Sequence, residues 1–171
     1  MIDQIKNHLQ SELISEGAFD IKGKIISEEH IIECKKELND VTFQIYIFYQ
    51  LLNDLIIIHI FTAYLVPLKN PEKSQYQLLE SISTKCIVGF LYLTEEASRY
   101  YINYKSQYVS KTDSFTKNDS FKTHLKVSFD MIDMNYREIF DEKKFKHQIG
   151  YKLGIFQRYV PWRGSRNGHK I

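Results

Sequence analysis

Between Val41 and Val66 a large apolar or aromatic residue stands at most positions, and neither glycine nor proline interrupts the run. A segment this apolar has to be surrounded, so whatever it forms becomes the centre of the molecule. Two periods compete over it. Val41 to Phe48 alternates like a strand, whereas Val41, Ile45, Phe48, Leu52, Leu55, His59, Thr62 and Val66 share one face of a helix. The helical pattern persists far beyond the ~5–6 residues usual for a strand. The expectation is therefore a central buried helix, ended by Pro67. Its most apolar stretch, Leu55 to Val66, contains His59 and Thr62 and is shorter than the ~18 residues that span a bilayer.

The remaining segments read in the same way. Ile2, Ile5, Leu9 and Leu13 mark a first amphipathic helix, and Ser27-Glu28-Glu29 looks like a cap with two acids in the first turn of a second. Asn70-Pro71-Glu72 restarts a helix with Tyr76, Leu79, Ile82, Cys86, Gly89 and Leu93 on its inner face. Thr94-Glu95-Glu96 opens another, running to about Val109. After a polar loop from Lys111 to Ser120, the stripe Phe121, Leu125, Phe129, Ile132, Tyr136 and Ile139 makes a further helix. This parsing predicts an all-α, single-domain bundle of five or six helices over residues 1–157. An irregular basic Gly/Arg-rich tail over 158–171 follows it.

Charge is divided unevenly along the chain. Residues 1–142 hold 15 Lys/Arg against 21 Asp/Glu. From Lys143 onward there are eight bases, Lys143, Lys144, Lys146, Lys152, Arg158, Arg163, Arg166 and Lys170, and no acid. Such segregation is the usual footprint of an anionic partner or of a match to the acidic body. Three of the five arginines lie in the tail, where a planar guanidinium suits phosphate better than an ammonium does. Cys34 and Cys86 are far apart, lack a CxxC pattern and are expected as reduced thiols. The amino-terminal residues Met1 to Lys6 show no secretory pattern, so a cytoplasmic location is expected. Scarce alanine with abundant Ile, Lys, Tyr, Phe and Asn points to an A/T-rich, bacterial source.

Several constellations bear on chemistry. No histidine has a glutamate three residues before it, which excludes the Glu-x-x-His pairs of ferritin-like centres. HExxH, GxGxxG and the phosphate-loop pattern are absent. Glu95-Glu96 and Glu138-x-x-Asp141 resemble part of the carboxylate set of helical nucleoside triphosphate pyrophosphatases, which would hold Mg²⁺. Arg99 replaces the third glutamate, and helix-dipole compensation explains the first pair more simply. Arg163 to His169 resembles the Arg/His pattern of HEPN ribonucleases, but Gly164 and Gly168 oppose the helix those proteins place it on. A basic tail is the reading taken. Tyr101, Tyr104 and Tyr108, with Lys105 alongside, share one face of the predicted helix and suit a core edge, an interface or base stacking.

The functional expectation is association with nucleic acid, RNA or DNA, through Lys143, Lys144, Lys146, Arg158, Arg163, Arg166, His169 and Lys170. The alternatives are a non-enzymatic homodimer whose basic tail docks on its acidic body, and a metal-dependent nucleotide phosphohydrolase. A homodimer with the tyrosine-bearing helix at the contact is expected, with no membrane partner and no cofactor. No catalytic residue is assigned.

Overall fold

The computed structural model of the chain describes residues 1–26, 29–68, 73–96, 99–117 and 119–140. The elements are α1 (Ile2–Ser15), β1 (Phe19–Ile26), β2 (Glu29–Leu38), β3 (Val41–Leu52) and β4 (Leu55–Leu68). They continue with α2 (Lys73–Ser83), β5 (Phe90–Glu96), β6 (Arg99–Lys111), α3 (Thr112–Phe115) and α4 (Ser120–Phe140). All six strands form one antiparallel sheet in the order β1-β2-β3-β4-β6-β5. The expected all-α bundle is thus wrong, and most of its central helices are hairpins.

The central run shows why. Val41 to Leu68 is not one helix but the hairpin β3–β4, folded at Asn53-Asp54 with Leu52 paired to Leu55. Phe43, Ile45, Ile47 and Tyr49 point to the core from β3, and Ile56, Ile58, Ile60, Thr62 and Tyr64 from β4. The alternate positions Tyr46, Phe48, Ile57, His59 and Phe61 are also large and unsaturated or aliphatic, and they are half-buried on the other face. Where both parities are apolar, a period of two and a period of 3.6 fit equally well, and length misleads. The turns hold the better signal. Leu38 pairs with Val41 around a two-residue loop, Asn39-Asp40, with φ of 47° and 67°. Two positive φ angles are what a type I′ hairpin turn requires, and Asn and Asp tolerate them. Asn53 repeats the sign at φ 57°.

Two other expected helices fail for related reasons. The stretch after Ser27 is strand β2, and Thr94 to Val109 is the β5–β6 hairpin, in which Glu96 pairs with Arg99. The expected helix over 70–93 survives only as α2 and ends at Ser83; Gly89, at φ 78°, turns the chain into β5. α1 and α4 match expectation. Ile5, Leu9 and Leu13 are buried from α1, and Phe121, Leu125, Phe129, Ile132 and Ile139 from α4.

The described helices contribute their buried side chains to a single core on one sheet face. α4 crosses β4 and β6, α2 lies over β5, and α1 lies beside β1. Each fully buried isoleucine of β3 and β4 contributes about 2–3 kcal/mol from removed apolar surface. Hydrogen bonds join several of the polar groups beneath α4, although Asn135 Nδ2 and His124 Nε2 are buried without a partner. The Tyr64 hydroxyl donates to the Ile132 carbonyl at 3.2 Å, and Ser106 bonds Ser128 at 2.9 Å. The boundary expected at residue 157 lies outside the described residues.

Candidate nucleic-acid interface

The second sheet face carries no described helix. Strand alternation brings to it Phe48 and Tyr46 from β3, His59 and Phe61 from β4, Lys105 from β6, and Phe90 and Tyr92 from β5. The register aligns them across the sheet. Tyr46 pairs with Phe61, Phe61 with Lys105, and Lys105 with Phe90. One row further along, Phe48, His59 and Gln107 are opposite one another. Ring centroids lie 6.0 Å apart for Tyr46–Phe61, 6.3 Å for Phe61–Tyr92 and 5.8 Å for Phe90–Tyr92. These spacings belong to tilted aromatic contacts, so the rings form one connected surface across four strands.

A shallow concavity of ≈ 250 Å³ opens within it, lined by Phe48, Gln50, His59, Phe61, Tyr92, Lys105 and Glu29. Burial pushes the Tyr92 phenol up to about 12, so it remains a hydrogen-bond donor at neutral pH. Burial, and then the Lys105 charge, lower the His59 pKa. Its Nδ1 is buried without a hydrogen-bond partner. The site offers flat aromatic faces, a phenol, a neutral imidazole and an ammonium set between Phe61 and Phe90. Such a set stacks planar groups and attracts an anion beside them.

The residues chosen from the sequence fare unevenly. Lys143, Lys144, Lys146, Arg158, Arg163, Arg166, His169 and Lys170 all lie outside the described residues. The tyrosines do not share a helix face. Tyr101 stands on the open sheet face, while Tyr104 and Tyr108 turn to the core, Tyr104 donating to the Val88 carbonyl at 2.9 Å. The dimer contact expected from a tyrosine-bearing helix therefore has no such helix. His59 is on the open face and not in the core under the helices. Glu95 takes a hydrogen bond from Tyr100, and Glu138 pairs with Lys85 at 3.4 Å, so these two carboxylates serve separate partners. Among the described residues no three His, Cys, Asp or Glu side chains gather as a metal site. Cys34 and Cys86 are free thiols, and burial pushes Cys34 up to about 12.

Sequence reasoning missed Tyr46, Phe48, Phe61, Phe90 and Tyr92. Their signal was the second parity of each strand, large and aromatic where a one-faced strand would be polar.

No family model matches the chain, and no curated protein matches it. Among solved structures it is similar to YbjN from E. coli, named for a suspected role in transcription regulation. The two share 10% identity and a TM-score of 0.49 over 80% of this chain and 92% of that one. No described helix is long and apolar enough to cross a membrane.

Proposed function

We propose that this chain binds single-stranded nucleic acid, stacking bases on the sheet face that carries no described helix and meeting phosphates with its cationic carboxyl-terminal residues. The observation that carries the reading is the aromatic row Tyr46–Phe61–Tyr92–Phe90 with Lys105 inserted in it. Unpaired bases offer flat faces of the size of these rings, whereas duplex bases are already stacked and cannot reach a sheet. Lys143, Lys144, Lys146, Arg158, Arg163, Arg166, His169 and Lys170 supply the sequence-independent attraction, which weakens with salt through counterion release.

Anisotropy of labelled single-stranded and duplex oligonucleotides at low and moderate salt tests it. Single strands bind better than duplex, and affinity falls as salt rises. Phe61→Ala and Tyr92→Ala each cost about 1–3 kcal/mol, the range for loss of one base–aromatic stack. Absence of binding to every probe at low salt overturns the reading, and a preference for duplex overturns the role of the sheet.

A homodimer is the second reading. Phe90 and Val109 are 50% and 48% exposed on this same face, and a two-fold contact is a common way to cover apolar surface. Sedimentation equilibrium decides it: a 20.4 kDa species throughout the micromolar range excludes the dimer.

A further inference from the structure

A larger groove, ≈ 640 Å³, runs between α2 and the outer side of edge strand β5. Leu79 and Leu91 form its floor, and the rings of Tyr76 and Phe90, 49% and 50% exposed, stand along it. Among the described residues its lining contains two carboxylates, Glu80 and Glu95, and no cation. A groove with this lining suits an aromatic, positively charged polypeptide segment.

The last described helix ends close to this groove. Near its carboxyl end α4 meets the carboxyl end of α2. Glu138 reaches Lys85 at 3.4 Å, and the Cys86 thiol lies 3.4 Å from the Asn135 side-chain oxygen. Helix α4, whose last described residue is Phe140, therefore ends beside the carboxyl end of α2, where Ser83 lines the groove. The sequence that follows contains Phe156, Arg158, Tyr159, Trp162, Arg163 and Arg166, and no acid beyond Glu142. Eighteen residues lie between Phe140 and Tyr159, enough to reach ~60 Å when extended. That exceeds the ~30–40 Å breadth of a domain of this size.

We propose that residues 156–166 of the same chain occupy the α2–β5 groove. In this arrangement Phe156, Tyr159 and Trp162 cover Tyr76, Leu79 and Phe90, and the arginines meet Glu80 and Glu95. Without nucleic acid the body and the cationic segment are then matched in charge within one molecule, and a bound strand, which takes up Phe90 and the same arginines, displaces the segment.

Trp162 is the only tryptophan, so its fluorescence reports the contact directly. Acrylamide quenching of the full-length protein, without nucleic acid, is the measurement. The expected result is emission to the blue of free indole and quenching several-fold weaker than for N-acetyltryptophanamide. The double variant Glu80→Lys/Glu95→Lys restores free-indole quenching while circular dichroism and the melting transition stay native. Should that variant not fold, Glu80→Gln/Glu95→Gln and Tyr76→Ser take its place. Trp162 as accessible as free indole in the unaltered protein overturns the proposal. So does shielding that persists in every folded groove variant. Shielding lost on dilution from micromolar to nanomolar protein assigns the groove to a second copy's segment and overturns the same-chain assignment.

Discussion

Gly89 shows how one residue holds the passage from α2 to β5. Its φ of 78° lies in the left-handed region, and a Cβ there would meet the Lys105 carbonyl oxygen at 2.6 Å and the Tyr104 ring at 2.7 Å. Neither neighbour yields easily. The carbonyl belongs to the β5–β6 ladder, and Tyr104 is fully buried with its hydroxyl bonded to Val88. Gly89→Ala combines a left-handed penalty with overpacking and costs about 2–4 kcal/mol, read from urea unfolding midpoints. A loss below half a kcal/mol would show that this turn relaxes freely. Nothing in the local sequence around Gly89 distinguishes it from a glycine inside a helix. Its role depends on Lys105 and Tyr104, which arrive from β6.

Among the elements, the β2–β3 hairpin was the most readable and was misread. Asn39-Asp40 between apolar runs is a turn signal, yet the apolar density on either side also fits helices before and after it. Asp40 sits at φ 67°, where a β-branched residue is strained. Asp40→Val is expected to destabilise by about 1–2 kcal/mol, whereas Asp40→Gly is neutral or slightly stabilising, because glycine suits type I′ turns. Equal stability of the two variants in thermal melts would contradict the turn assignment. Helices α1 and α4 were legible because their polar and apolar faces are distinct. The stripe from Phe121 to Ile139 has one buried side, so a single period describes it. The aromatic platform was illegible for the opposite reason: its residues belong to strands apolar on both faces.

For the whole molecule, stability should depend on pH through three groups. Burial lowers the pKa of His124, and burial with the nearby Lys105 lowers that of His59, so both are neutral in the fold and protonate more readily when unfolded. Their stabilisation is complete above the unfolded value of 6.5 and is lost as pH falls from there toward the lowered folded values. Asp20 acts lower in the scale. Hydrogen bonds from Lys22 and Lys35 hold its carboxyl at about 2, so its contribution is lost as pH falls from 3.8 toward that value. Its carboxylate lies at the surface, so salt screens most of its effect. Urea midpoints should therefore drop between pH 7.5 and 5.5, and the double variant His59→Gln/His124→Gln should flatten the drop. A wild-type midpoint unchanged over this interval would refute the linkage.

Sequence by itself determined the amphipathic helices α1 and α4 and the division between an acidic body and a cationic carboxyl-terminal stretch. Those properties follow from local periodicity and composition, which need no knowledge of neighbours. Tertiary structure alone decided that Val41 to Leu68 folds back on itself and that six strands join in the order β1-β2-β3-β4-β6-β5. It also decided that Tyr46, Phe61, Lys105 and Phe90 form one row. Strand register brings together residues dozens of positions apart. Which of two apolar faces receives the helices depends on packing between elements, and that information is absent from any single segment.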